Sequence, residues 1–356
     1  MSLAIRVSFA EIKFKGANRA HRKFFGELLF PLKTKTEPLV NIQISFQKIN
    51  RRDITRFLED DTTASKDSFF VKDTKGNLAQ LDFHKFTEKD IAINVESEFD
   101  LYYLYNFIIE PLLIIWSAEK GILYLHASGI CDDKRKATIF PAWRTTGKTH
   151  AILTLIKEGY RFVGDDYCLV KDGKVYLYPK SINLFSYNLR AFPSVYKSIP
   201  LKTVLRLRIT YRIKQALYWL SQFLPGPLAK VFYRLSELAE VSTNIKVTPK
   251  QLEIKTREVS NLAKVILLQK AKFQSQKMVE LTREQMIQKL NNIINYELEE
   301  FYKIYKKYRY LFPEKPVSIV EGFSVNYRKA ISENIKEAKL LFLGEERLKL
   351  KDLLKD

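Results

Sequence analysis

The stretch KATIFPAWRTTGKTHAILTLIKEGYRFVGDDYCLV, Lys136 to Val170, leaves a folding chain few arrangements. The apolar run KATIF predicts a strand, the polar residues up to Gly147-Lys148-Thr149 a loop, and HAILTLIKEG one short helix that delivers the chain to a second apolar strand. Only 17 residues separate Lys148 from Asp165, so that helix is the whole connection between the loop and the acids. The loop approximates GxxxxGK[ST], in which backbone N–H groups cradle phosphates, a lysine meets the terminal phosphates and a hydroxyl meets Mg²⁺. Ala142 stands where the first glycine belongs, and everything from Gly147 onward is intact. The helix points its positive end at the loop, and Thr145 and Thr146 add hydroxyl donors.

Asp165 and Asp166 close the run RFVG. An acid at the end of an apolar strand is the arrangement that binds magnesium, and a second carboxylate beside it can take a proton from a substrate hydroxyl. The plain alternative for such a pair is a solvated turn. Here the strand is expected to continue through YCLV, which would hold two carboxylates side by side and call for a cation near them.

Elsewhere the periodicity organises the chain. Residues 1–98 alternate with period two and predict an antiparallel sheet, with a turn at Lys75-Gly76-Asn77. Residues 100–120 predict a strongly apolar helix interrupted at Glu110 and Pro111, too short in its uncharged run for a membrane span and better suited to a core. Turns are expected at residues 132–135 and at Asp172-Gly173. Residues 201–240 predict a helical hairpin broken at Pro225-Gly226-Pro227, NLAKVILLQK a buried strand, and Thr282 the cap of a later helix. The expected class is mixed α/β, with a β-rich region 1–98, a second domain 99–356 and the hairpin inserted at about 201–240.

The formal charge of +20, from 60 Lys and Arg against 40 acids, favours nucleic acid, an anionic membrane surface or phosphorylated ligands, and equally describes a lysine-coated thermostable surface. No recognised nucleic-acid motif accompanies it. The two cysteines, Cys131 and Cys168, have no metal-ligand spacing, and the first residues alternate as a strand does rather than as a signal peptide. A cytoplasmic protein is expected.

The ordered set LHASG, strand, loop ending GKT, helix ending EGYRFVGDDYCLV and hairpin VYLYP resembles the catalytic domain of HPr kinase/phosphorylase and its kinase relatives. That group shares its nucleotide-binding core with phosphoenolpyruvate carboxykinase. The resemblance covers about residues 120–185 and extends weakly to 262–270. It implies an ATP- and Mg²⁺-dependent kinase in which Lys148 holds the β- and γ-phosphates, Gly147 and its neighbours wrap them, Thr149 and Asp166 bind Mg²⁺, and Asp165 is the general base. His126, from LHAS, would lie beside the phosphates, although a lone strand histidine is more often packed in a core. Positions 142 and 145 lack the family's glycines, and Arg144 as an extra cation on the phosphates and Trp143 as a stacking surface for the base both stay open. Nothing aligns with recognition of the family's carrier-protein substrate, so the acceptor is not implied.

Three functions are expected. The first is phosphoryl transfer to a hydroxyl, a protein serine before a small metabolite or a lipid-linked alcohol. The second is a catalytically silent nucleotide- or anion-binding module, and the third is nucleic-acid binding. The hairpin, over 203–235, is expected to cover the core, to act as a lid over the acceptor, or to lie on anionic lipid. Self-association is open.

Overall fold

The structure, a computed structural model, describes residues 3–32, 37–52, 54–59, 61–185, 188, 199–241, 245–271 and 277–343. The alternating N-terminal region forms strands β1 (Leu3–Val7), β2 (Ala10–Lys15), β3 (Val40–Phe46), β4 (Arg56–Leu58), β5 (Thr62–Ala64), β6 (Phe69–Lys72), β7 (Leu78–Leu81) and β8 (Asp90–Val95). They make one eight-stranded sheet in the order β1-β2-β3-β8-β7-β6-β5-β4. It is not antiparallel throughout, because β3 runs parallel to both β2 and β8. Alternation reveals which side chains share a face and says nothing of strand direction. Direction is set by helix α1 (Arg19–Leu28), which starts on an Asn18 cap, buries Phe25 and Leu28 and returns the chain to the same end of the sheet. The expected turn is present: the Asp73 carboxylate accepts the N–H groups of Lys75 and Asn77, and Gly76 takes the positive φ.

Helix α2 (Leu101–Glu119) runs through the positions of Glu110 and Pro111 without breaking. Pro111 has no N–H to donate, and the turn before it winds wider, with the Glu110 N–H bonded to the Tyr105 carbonyl. The helix is long and apolar enough to cross a membrane, yet Leu112, Leu113, Ile114 and Ile115 are buried against the N-terminal sheet and the C-terminal helices. Burial of each such side chain stabilises the fold by about 1.5–3 kcal/mol.

The second sheet holds β9 (Leu123–Leu125), β10 (Ala127–Cys131), β11 (Lys136–Pro141), β12 (Arg161–Gly164), β13 (Cys168–Lys171), β14 (Lys174–Leu177) and β17 (Val259–Lys270). Strands β15 (Ile182–Leu184) and β16 (Ile245–Val247) pair apart from it, while β18 (Lys277–Glu280) and β19 (Lys339–Leu343) extend the far half of β17. Residues 123–131 and 161–171 form one antiparallel ribbon whose register survives a kink: Leu125 faces Cys168 and Gly129 faces Gly164. Beyond the kink the two ends diverge. Its β10 end pairs with β11 and its β13 end with β14, and both of those strands pair with β17, so the sheet curls back on itself around the kink.

Helix α3 (Lys148–Lys157) comes after β11 and buries Ala151, Ile152 and Leu155 in a second apolar cluster with β15, β16 and part of β17. Helices α4 (Leu201–Phe223) and α5 (Gly226–Val241) are the expected hairpin. Helices α6 (Arg283–Glu297), α7 (Glu299–Leu311), α8 (Ser318–Glu321) and α9 (Phe323–Asn334) complete the described chain, α6 starting at Thr282 with a reciprocal Thr282–Gln285 cap.

Candidate active site

The two aspartates do not lie inside a continuous strand. Asp165, Asp166 and Tyr167 form the bend between β12 and β13, with Asp166 at φ 66°. Gly164 makes the bend possible, since a Cβ there would stand 2.6 Å from the Tyr167 carbonyl oxygen. The Ala127 N–H donates to the Asp166 carbonyl across the kink at 3.0 Å, so the turn is held from the opposite strand. The bend is also not solvated: Asp165 is 1% exposed, while the Asp166 side chain keeps a partial opening to water.

The loop before α3 is brought onto this bend. Thr149 Oγ1 lies 3.1 and 3.3 Å from the two Asp165 carboxylate oxygens, and Ser128 Oγ donates to Oδ1 of the same group at 2.5 Å. Thr149 therefore meets Asp165 and not Asp166. Lys148 is buried and its Nζ donates to the Ala142 carbonyl at 2.9 Å. Gly147 turns the chain into the helix at φ 108°, a conformation that glycine adopts without strain, and the space a side chain would occupy there is open. Thr145 also takes a positive φ, 59°, and Thr146 turns its hydroxyl inward to the Trp143 carbonyl instead of offering it outward.

Arg144 and Trp143 both turn toward the end of α6. Arg144 forms a two-pronged pair with Glu297, Nε to Oε1 at 2.9 Å and Nη2 to Oε2 at 2.6 Å, and its guanidinium lies over Tyr296. The Trp143 ring rests against Tyr296 with centroids 4.6 Å apart. Both side chains tie the loop to the end of α6. Glu297 also approaches Nδ1 of His126 to 2.8 Å, off the line of a hydrogen bond.

Asp166 faces a different cation. Lys180 Nζ is 3.5 Å from Asp166 Oδ2 and 3.0 Å from both oxygens of Glu110, the buried acid of α2. The N-terminal region places this lysine: the Phe30 N–H donates to the Pro179 carbonyl and the Ser181 N–H to the Leu28 carbonyl. Asn183 Nδ2 reaches Asp166 Oδ2 at 3.4 Å.

The electrostatics come from burial. Glu110, Asp165, Asp166 and Glu297 stand against Lys148, Lys180 and Arg144, which leaves one carboxylate in excess. Burial, then the neighbouring Asp166 charge, pushes Asp165 up to about 6. Burial opposes the charge on Asp166 too, but Lys180, His126 and Lys148 outweigh it and hold that group below its ordinary value. Burial lowers Lys148 to about 8, against the pull of both aspartates. Burial and the Lys148 charge keep His126 below its usual value, against the pull of Glu297 and Asp166. Glu297, despite burial, is brought down to about 2 by His126 and Arg144.

Among the described residues no group of three or more His, Cys, Asp or Glu side chains is arranged to hold a metal alone. The donors at the kink nevertheless fit Mg²⁺, which takes oxygen ligands, one or two carboxylates, and completes its shell with phosphate and water. No protein-family model matches this chain, and no curated protein matches it. Sequence reasoning missed Glu297, Lys180, Ser128 and Glu110. Lys180 had the best signal, as the lysine immediately after VYLYP, whereas Glu297 is one of three acids in YELEE with nothing to single it out.

Proposed function

We propose that this chain is a Mg-ATP-dependent phosphotransferase acting on a hydroxyl acceptor. The observation that carries the reading is the contact of Thr149 Oγ1 with the Asp165 carboxylate at 3.1 Å, at the start of a helix whose first residue is the buried Lys148. A loop hydroxyl, a strand-end carboxylate and a lysine at a helix N-terminus are the parts that phosphate-loop phosphotransferases use. Bound Mg²⁺ would supply charge neutralisation on the transferred phosphoryl group.

The geometry supports dividing the two aspartates in the opposite way to the resemblance. Thr149 and Asp165 would hold the metal, since they already meet and Asp165 is closed to anything larger than an ion. Asp166 would accept the proton of the acceptor hydroxyl, because its side chain keeps an opening to solvent. Lys180 keeps Asp166 ionised beforehand and lies close enough to stabilise charge near it. Lys148 would exchange the Ala142 carbonyl for phosphate oxygens, with the α3 N-terminus adding its N–H groups. His126 stays a neighbour between Lys148 and Glu297.

A second reading has its own support. The loop is satisfied without ligand, with Lys148 on a carbonyl and Arg144 on Glu297, as suits a module that binds an anion and transfers nothing. Single-turnover hydrolysis or transfer of γ-labelled ATP with Mg²⁺ separates the two. Label that never leaves ATP, with Mg-ATP binding intact, retires the kinase and keeps the binding module.

A further inference from the structure

The described hairpin, α4 with α5, behaves unlike the rest of the molecule. Only its base enters the apolar interior: Val204 and Leu207 join the cluster behind α3. Beyond that the two helices pack chiefly on each other among the described elements. Among the described residues, twelve of the nineteen exposed large apolar side chains lie on it, so the exposure belongs to this element and is not a general property of the surface. The periodic residues Leu205, Ile209 and Ile213, which spacing would place against a core, face outward.

Charge and apolar surface are sorted along its length. From Gln215 to Ala229 no residue is charged, and this stretch forms the distal end, about 15 Å of α4 and the turn into α5. Trp219 is 60% exposed and Phe223 68%, with their rings 4.5 Å apart, and Leu220 and Leu228 flank them. Behind the tip come Arg206, Arg208, Arg212 and Lys214 on one helix and Lys230 and Arg234 on the other, and no acid occurs between Leu201 and Ser236. An apolar end carrying aromatics, backed by a one-sided cationic collar, is the distribution of an element that dips into the boundary between acyl chains and anionic headgroups.

Two other occupants fit less well. A second copy of the hairpin would set one basic collar against another. A nucleic acid would meet the collar but leave fifteen uncharged residues with no phosphate to contact.

We infer that the tip of the 201–236 hairpin inserts into an anionic lipid surface while its basic collar lies on the headgroups, so that the protein works at a membrane face. This stands independently of the phosphotransferase reading.

The test uses the full chain with vesicles of phosphatidylcholine, with and without phosphatidylglycerol, at low salt. Co-sedimentation is expected with the anionic vesicles and much less with the neutral ones. Replacing Arg206, Arg208, Arg212 and Lys214 by Gln is expected to weaken it at least tenfold, since each basic residue near the surface contributes about fivefold. Trp219→Ser with Phe223→Ser, which leaves every charge in place, is expected to weaken it by about tenfold or more. Both variants should keep the wild-type circular dichroism spectrum. As a check that requires no altered tip, Trp219 emission in Trp143→Phe protein should be quenched by brominated acyl chains, Trp116 being buried in the core. Indifference to anionic vesicles overturns the inference, as does absence of quenching. So does release by the charge variant but not by the tip variant, which would mean adsorption of a basic surface alone. A dimer that the tip variant dissociates in lipid-free solution assigns the hairpin to a second copy instead, and RNA binding lost only in the charge variant, with vesicles ignored, assigns it to nucleic acid. Mg-ATP affinity is expected to be unchanged in the charge variant and in the tip variant, so loss of vesicle binding cannot be confused with failure of the nucleotide site.

Discussion

At the kink beside β12, four carboxylates and three cations meet named partners within 3.5 Å, whereas on the hairpin a run of cations shares its segment with no acid and the apolar side chains stay outside. Both places break the ordinary rule that charge goes out and apolar surface goes in. They break it in opposite senses. Buried charges each held by a named partner fix atoms in position, because a buried charge left with no partner would cost several kcal/mol of desolvation. One-sided charge over exposed apolar surface fixes nothing and suits an extended, deformable partner. The kink is therefore where single substitutions should have specific effects, and the hairpin is where effects should sum over several residues.

The largest effect is expected from Lys148→Ala. Calorimetric titration with Mg-ATP should show affinity reduced by at least about a hundredfold, the loss of a desolvated cation facing phosphate. Unchanged affinity would remove the phosphate-loop assignment, and the kink would then be a structural ion cluster.

The aspartates sharpen the comparison next. Asp166→Asn should leave Mg-ATP binding within a few-fold and slow transfer by roughly two to four powers of ten, the range for removal of a general base. Asp165→Asn should instead abolish the Mg²⁺-dependent part of nucleotide affinity. Reversed outcomes would restore the division implied by the resemblance, and identical outcomes would mean that the pair acts as one unit.

The pH profile gives a smaller effect of defined sign. On the proposed division the metal would require the Asp165 carboxylate, raised to about 6, so nucleotide affinity in the presence of Mg²⁺ should fall as pH drops below about 6, approaching tenfold per unit. On the same reading phosphate would require charged Lys148, lowered to about 8, so affinity should also fall as pH rises above about 8. Affinity measured at fixed Mg²⁺ from pH 5 to about 9 should therefore peak between the two. A flat profile would mean that these groups do not meet the ligand.

What was legible in the sequence divides along the same line. Local patterns were readable: the Thr282 cap, the Asp172-Gly173 turn and the 201–240 hairpin all occupy their expected places. Lys148, Thr149 and Asp165 could be named because strand, loop and helix spacing bring them close whatever the rest of the chain does, whereas His126 was named only through the resemblance carried by LHAS. The bend at Asp166 was not readable, since it depends on the missing Cβ of Gly164 and on a strand 37 residues away, the separation of Ser128 from Asp165. Glu297, 153 residues from Arg144, reaches the loop only through packing of α6, and no periodicity encodes that. The outward stripe on α4 is the complementary case: spacing showed a stripe and could not tell an absent core from a present one.

Glu297→Gln probes the smallest effect and separates positioning from binding. The carboxylate holds Arg144 and neighbours His126, and neither contact touches the expected phosphate position, so Mg-ATP affinity should change only a few-fold while loop order suffers. Because Arg144 is half exposed, solvent screening limits the stabilisation lost to about 1 kcal/mol. The sign with pH is fixed. Glu297 is depressed to about 2, so its contribution is complete above about 4.5, where an unfolded Glu is ionised, and fades as pH falls through 2. Wild type and variant should therefore differ in urea unfolding at pH 7 and converge as pH falls below about 4.5. Trp143 fluorescence should report the freed loop at neutral pH, since its packing on Tyr296 is secured by the same ion pair. A difference that persists undiminished into acid would show that the side chain stabilises by packing, and that the loop is held by Trp143 on Tyr296 without help from charge.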